Sequence, residues 1–157
     1  MHRVGVIPFV VNSDPAGSDP YGVRMLLVTS RARGRWVFPK GRRNNGEAQV
    51  TTAEREAFEE AGVGGNILAD FAMTAVVTRK ISDEHIERMP VTYFPLRVGK
   101  IADEWPEREM RRRRWFTIDA ALKNVDRTDV GKVVALFADV WPWLIADCDD
   151  DAGEDVS

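Results

Sequence analysis

Between Val50 and Ala61 the chain carries Glu56, Glu59 and Glu60 among the apolar or small residues Val50, Ala53, Ala57, Phe58 and Ala61. On a helix turning about 100° per residue, with Glu56 at zero, Glu60 falls near 40° and Glu59 near 300°. The three carboxylates then share an arc about 100° wide, and the apolar residues occupy an arc that can face a sheet. Such crowding is unfavourable, since like charges three or four residues apart cost about 0.2–0.5 kcal/mol per pair. Glu59 and Glu60 also sit in the last turn, where the helix dipole disfavours negative charge. Arg55 offsets part of this by pairing with Glu59. A divalent cation removes the rest, because Mg²⁺ is held by one or a few carboxylates together with water and substrate phosphate oxygens. A solvated acidic face explains most such clusters taken alone, so the residues flanking this one decide between the two readings.

The elements that must position this helix follow from hydrophobic patterning. Arg3–Val11 reads as a strand, with Pro8 pointing to an edge or a bulge. The segment Asn12–Pro20 is a turn-rich loop. Val23–Ser30 is expected to pair back across it, and Trp36–Phe38 is a short extended piece stopped by Pro39. Val50–Ala61 is the acidic helix, with Gly62 as its stop signal. Ile67–Arg79, Val91–Val98 and Arg113–Ile118 read as strands. Asp129–Ile145 reads as a terminal helix turning Val133, Leu136, Phe137 and Val140 to the core. Strands around two helices imply a mixed sheet with a helix on each face.

Length and composition set the frame. At 157 residues, 44% hydrophobic and 30% charged, the chain matches one globular domain, expected to occupy residues 1–146. The longest apolar runs are too short or too interrupted to cross a bilayer, and no cleavable leader is evident. A lone Cys148 excludes an internal disulfide and an all-cysteine metal site, which makes a reducing, cytoplasmic setting the default. The net charge of −3 is unevenly spread. Residues 147–157 hold only acids among their charged side chains and read as a disordered acidic tail. Asp147, Asp149 and Asp151 imitate the start of a calcium loop, but Ala152 replaces the turn glycine and the closing Glu is missing. The body before the tail is therefore net positive, and Arg31, Arg33, Arg35, Lys40, Arg42 and Arg43 run without an intervening acid. Such a stretch suits a polyanionic ligand.

The pattern Gly41-x5-Glu47-x7-Arg55-Glu56-Ala57-x-Glu59-Glu60-x-Gly62-Val63 resembles the Nudix box in full, departing only mildly at Ala57, where a bulkier aliphatic is common. The resemblance implies a Nudix-type α/β/α sandwich of the α+β class, with a central mixed sheet between helices. It also implies a hydrolase of phosphoanhydrides that uses Mg²⁺, with Mn²⁺ as an alternative. Carried over by position, Glu56 and Glu60 are expected as principal metal ligands, and Glu59 as a further ligand or the base that deprotonates water. The Gly41 carbonyl would complete the metal shell, Arg55 would orient the carboxylates, and Glu47 would support them from behind. A fourth acidic ligand from outside the box is expected among Glu104, Glu107 and Glu109, with Glu107 favoured. The stretches Leu26–Arg31, Arg35–Gly41 and Arg114–Phe116 are similar to the branch that cleaves diphosphoinositol polyphosphates and dinucleoside polyphosphates. On that likeness Arg31, Arg33, Lys40, Arg42 and Arg43 are expected to bind phosphates of a polyphosphorylated small molecule.

Other readings compete. Hydrolysis of ADP-ribose or oxidised nucleotides is the alternative chemistry, and a non-catalytic ligand sensor on the same fold is the alternative class. Trp36, Tyr93, Phe94, Trp105 and Trp115 offer a stacking platform for a base, although core packing is the more frequent fate of such residues. His85 reads as a solvated surface histidine. Arg108 and Arg111–Arg114 suggest RNA, yet the modest positive charge of the body argues against a nucleic-acid partner.

Overall fold

The computed structural model describes residues 2–12 and 19–154, so most of the loop expected at Asn12–Pro20 lies outside the described residues. Among these residues eight strands form one mixed sheet: β1 (Arg3–Val11), β2 (Val23–Thr29), β3 (Trp36–Val37), β4 (Lys40–Gly41), β5 (Val63–Ile67), β6 (Met73–Ser82), β7 (His85–Ile101) and β8 (Arg113–Thr117). Its central path runs β3-β2-β1-β7-β5, with β4 on β1, β6 on β7 and β8 on β2. Among the described residues three α-helices accompany it: α1 (Gln49–Ala61), α2 (Ile118–Asn124) and α3 (Val130–Glu154). No helix among the described residues is long and apolar enough to cross a membrane.

β1 explains the shape of the sheet. It runs parallel to β7 from Arg3 opposite Val91 to Phe9 opposite Arg97, and on its other side antiparallel to β4 and then to β2. Pro8 is therefore interior and not on an edge. The amide of Val6 donates to the carbonyl of Pro39 at 3.0 Å and that of Asn12 to Gly22 at 2.8 Å. By two-residue alternation Pro8 would face the same side. It lies between the β4 register, which ends at Gly5, and the β2 register, which starts at Phe9. The missing N–H thus falls where one partner hands over to the next.

Each face of the sheet has its own core. On one face Ala53, Ala57 and Ala61 of α1 pack against Val4, Val6, Leu26, Val28, Phe94 and Leu96. Three alanines line the helix there, with Val50 packed against the cluster at the N-terminal end, so α1 sits close to the strands. Phe58, expected on this face, lies at its rim and is 46% exposed. On the opposite face α2 and α3 cover Ile7, Phe9, Met25, Leu27 and Tyr93. Phe9, Phe137 and Trp141 form an aromatic cluster with centroids 5.5–5.8 Å apart. Burying each of these rings is worth about 1.5–3 kcal/mol. The result is the expected sandwich, with one additional helix.

Several expectations need correction. Ile67–Arg79 is not one strand: β5 ends at Ile67, a short 3-10 turn spans Ala69–Phe71, and β6 begins at Met73. β5, begun by Val63 and weakened by Gly64 and Gly65, was too glycine-rich to register as a strand. Val91–Val98 is the middle of a longer strand that forms a hairpin with β6, and exposed His85 opens it. Leu136 points outward at 37% exposure, because the buried stripe of α3 follows Val133, Phe137, Trp141, Leu144 and Cys148. The same stripe runs past Asp147, the residue at which an acidic tail was expected to begin: α3 continues to Glu154, and Cys148 is buried against the core. Steps of three and four residues put Cys148 on the core side even as the sequence around it turns acidic.

Candidate active site

The site is built at the two ends of α1. Just before the N-terminus, Glu47 accepts from the Asn44 amide (3.1 Å) and the Thr52 hydroxyl (2.6 Å). Arg55 donates to both Glu47 oxygens, Nε at 3.1 Å and Nη2 at 3.0 Å. The bonds from Arg55, then Thr52, then Asn44 hold the Glu47 carboxyl down at about 2. Arg55 Nη2 also donates to the Arg42 carbonyl at 2.8 Å. With that side anchored, Arg55 Nη1 reaches Glu56 (2.8 Å) and Glu59 (3.3 Å). Glu47 thus anchors Arg55, and Arg55 in turn pairs with two of the carboxylates.

The C-terminal end is framed by residues 102–113. Gly62, at φ 67, caps the helix with its amide on the Phe58 carbonyl. The next three carbonyls all find donors from this segment: the Glu107 amide on Glu59 (3.0 Å), Trp105 Nε1 on Glu60 (3.1 Å) and Arg113 Nη1 on Ala61 (3.0 Å). The Arg113 guanidinium lies 3.9 Å from the Trp105 ring centroid. A cation at this end opposes the dipole penalty of the late glutamates. The segment also roofs the acidic arc, so the Glu56 and Glu60 side chains keep only 10% and 8% exposure while that of Glu59 keeps 38%.

Burial without full compensation shifts both buried acids. Desolvation pushes the Glu60 carboxyl up to about 7, against the pull of Arg111 and with reinforcement from Glu56. Glu56 is raised as well, by burial first, while Arg55 pulls it down and Glu59 and Glu107 push it up. Glu60 Oε2 accepts the Lys40 amide at 2.9 Å, and Oε1 accepts Arg111 Nη2 at 2.7 Å. Arg111 Nε meets Glu107 at 3.1 Å. Gly41 passes so close that a Cβ there would collide with the Glu56 carboxylate. The backbone at Gly41 is therefore within touching range of that side chain, which is the reason for glycine at this point.

This donor set fits a divalent cation. It consists of hard oxygens, two of them buried with a surplus of negative charge, beside a backbone that no side chain blocks. Among the described residues no three acidic, His or Cys side chains already surround one point. Arg55 and Arg111 stand between the carboxylates, and Mg²⁺ needs only one or two of them beside water and phosphate. Of the possible outer acids, Glu107 is beside Glu56 and Glu60, Glu104 is an exposed partner of Arg108, and Glu109 lines a shallow depression next to Arg31.

The basic residues do not gather into one ring. Lys40 and Arg33 line a cleft of about 710 Å³, with Trp36, Tyr93, Thr78, Asn124, Asp126 and Asp129 among its walls. Desolvation lowers the Lys40 pKa, although Glu60 and Asp129 act in the other direction. Arg42 and Arg43 line a separate depression with Asn44, and Arg43 Nε donates to the Glu47 carbonyl. Arg31 lies in a third, with Arg108, Arg111 and Arg112. Of the aromatics, Trp36 faces the cleft and packs edge-on against Phe116, Phe94 is core, Trp115 packs against the α1-side core, and Trp105 carries Arg113.

Sequence reasoning missed Arg111, which it placed in a basic run, and the cleft residues Asn124, Asp126 and Asp129. The four-residue spacing from Glu107 to Arg111 was the available signal for the first. For the cleft none existed, because the α2–α3 loop meets β3 and β6 only in three dimensions.

Comparison with known proteins agrees with this geometry. The NUDIX domain model matches residues 1–137. Nudix hydrolase 16, mitochondrial, of Arabidopsis thaliana is 36% identical over 126 residues, covering 76% of this chain and 69% of that protein. Diphosphoinositol polyphosphate phosphohydrolase 3-beta of Bos taurus is 31% identical over 105 residues, covering 63% of this chain and 57% of that protein. The chain thus spans little more than half of one relative and about two thirds of the other. A crystal structure of a C. elegans Ap4A hydrolase binary complex superposes with a TM-score of 0.58 at 21% identity, over 87% of this chain and 94% of that one, and so shares its fold. With the family model covering most of its length and all seven fixed positions of the box in place, the chain belongs to the Nudix family of phosphoanhydride hydrolases.

Proposed function

We propose that this chain hydrolyses a phosphoanhydride in a polyphosphorylated small molecule, with water as the attacking group. The observation that carries the reading is the pair of buried glutamates, Glu56 and Glu60, held uphill for ionisation beside exposed Glu59 and neighbouring Glu107. Mg²⁺, or Mn²⁺ in its place, supplies charge neutralisation at the phosphate oxygens and a more acidic bound water. Glu56 and Glu60 would hold the cation with the Gly41 carbonyl, and Glu107 would add an acid from outside the box. Glu59, the most exposed of the four box glutamates, would take the proton of the attacking water. Arg55, braced by Glu47, keeps Glu56 and Glu59 oriented. Lys40 and Arg33 would grip phosphates along the large cleft, and Arg31, Arg42 and Arg43 would reach a longer chain from the rim.

Within this substrate class the cleft favours a dinucleoside polyphosphate over a diphosphoinositol polyphosphate. Asp126 and Asp129 oppose a ring phosphorylated on all sides, whereas Trp36, Tyr93 and Asn124 suit a base. The single buried cysteine is consistent with a reducing, cytoplasmic setting. The test is a substrate panel with product analysis in Mg²⁺: diadenosine tetraphosphate, a diphosphoinositol polyphosphate, ADP-ribose and an oxidised nucleoside triphosphate. Cleavage of the first is expected, with Glu60→Gln lowering kcat by about 100-fold or more, the order seen when one preorganised electrostatic group is lost. Unchanged turnover in that variant overturns the assignment.

A further inference from the structure

We propose that Arg111 is a positioning residue that stands in for a divalent cation in the cation-free protein and releases Glu60 and Glu107 when the cation binds. The inference rests on the reading of Glu60 as a cation ligand. Arg111 is as buried as the acid it pairs with, both side chains being 8% exposed. Its guanidinium bridges Glu60 Oε1 at 2.7 Å and Glu107 Oε1 at 3.1 Å, with Nη1 on the Thr29 carbonyl at 2.9 Å. Three carboxylates under one roof, Glu56, Glu60 and Glu107, require positive charge nearby, because a buried acid stripped of its partner is strongly destabilising. Arg111 supplies it.

A fixed guanidinium at this distance opposes a dication aiming for the same oxygens. Binding is therefore an exchange and not an addition. Arg55 is differently placed: two bonds to Glu47 and one to the Arg42 carbonyl anchor it, and its Nη1 reaches Glu56 and Glu59 but the bonds it makes are not to Glu60 or Glu107. Among the described residues, the Thr29 carbonyl is the further hydrogen-bond anchor of the Arg111 side chain. It stands on residues 102–112, which form neither helix nor strand, and borders a shallow depression shared with Arg31, Arg108 and Arg112. The side chain can turn into that depression without disturbing α1.

The test uses Mn²⁺ alone, without substrate, on full-length protein stripped by chelator. Arg111→Met is expected to melt below wild type in chelator, yet to bind Mn²⁺ roughly 3- to 10-fold more tightly by calorimetry, as removal of one opposing charge predicts. Arg111→Lys, which keeps the charge but not the bridging fork, is expected to fall between them. A merely structural role would lower the melting point and leave Mn²⁺ affinity equal or weaker, and that result overturns the proposal. Should Arg111→Met not fold in chelator, the wild type decides. The Arg111 Nε–H resonance, protected from exchange in chelator, is expected to lose protection on saturation with Mg²⁺, and an unaltered resonance overturns the exchange. Equal Mn²⁺ binding by wild type and Glu60→Gln instead removes the cation-ligand reading on which the proposal stands.

Discussion

At the scale of single residues, the acids of α1 differ far more in surroundings than in sequence. Glu47 is stabilised as an anion by three partners, whereas Glu60, a helix length away, is driven toward protonation by burial despite a direct ion pair with Arg111. Stability in chelator should reflect this. A carboxyl whose folded pKa lies above its ordinary 4.5 binds its proton more readily in the folded state. The stability it contributes is complete below 4.5 and is lost as pH rises through about 7. Glu47 works in the opposite sense, its contribution being present above 4.5 and lost as pH falls toward about 2, so it does not act in the same window. Melting temperature in EDTA is therefore expected to fall between pH 5 and 8, and Glu60→Gln should flatten much of that slope, with Glu56 leaving a residue. Saturating Mg²⁺ should flatten it in the wild type as well. Identical slopes in wild type and variant would show that Glu60 stays ionised throughout.

At the scale of elements, α1 works because other segments complete both of its ends. Its alanine strip lets it approach the sheet, and the residues after β7 satisfy its last carbonyls while covering its acids. Gly62 is the joint of this arrangement: it holds φ 67, and a Cβ there would meet Trp105 and Arg113 at 2.8 Å. Gly62→Ala combines a left-handed backbone, costing about 1–2 kcal/mol, with displacement of the two side chains that tie the roof to the helix. A loss of about 2–3 kcal/mol in urea unfolding is expected, accompanied by weaker Mn²⁺ binding as Glu107 drifts. A change below about 0.5 kcal/mol, the range of ordinary surface substitutions, would mean that the roof is held by other contacts.

At the scale of the whole molecule, α3 closes the face opposite the site, and its buried stripe reaches Cys148. Cys148 continues the stripe of Phe137, Trp141 and Leu144, so removal of residues 147–157 should cost about 1–2 kcal/mol, the value of one small buried side chain and its neighbours. The denaturant midpoint reads this directly, and an unchanged midpoint would return the segment to the status of an unpacked tail. The identity of the acidic helix, its polarity, its Gly62 stop and the carboxylates it carries were all determined by spacing within a short stretch, because helix periodicity and capping are local. So were β1, β2, β8 and the two-faced sheet, whose strands are long or β-branched enough to declare themselves. The neighbours of those carboxylates were another matter. That Arg111 bridges Glu60 and Glu107, that Lys40 sits in a cleft with Asp129 while Arg42 and Arg43 lie elsewhere, and that Pro8 is interior depend on which strands meet. Burial, and with it the altered acidity of Glu56 and Glu60, belongs to no single segment: it arises only when residues far apart in the chain together exclude water.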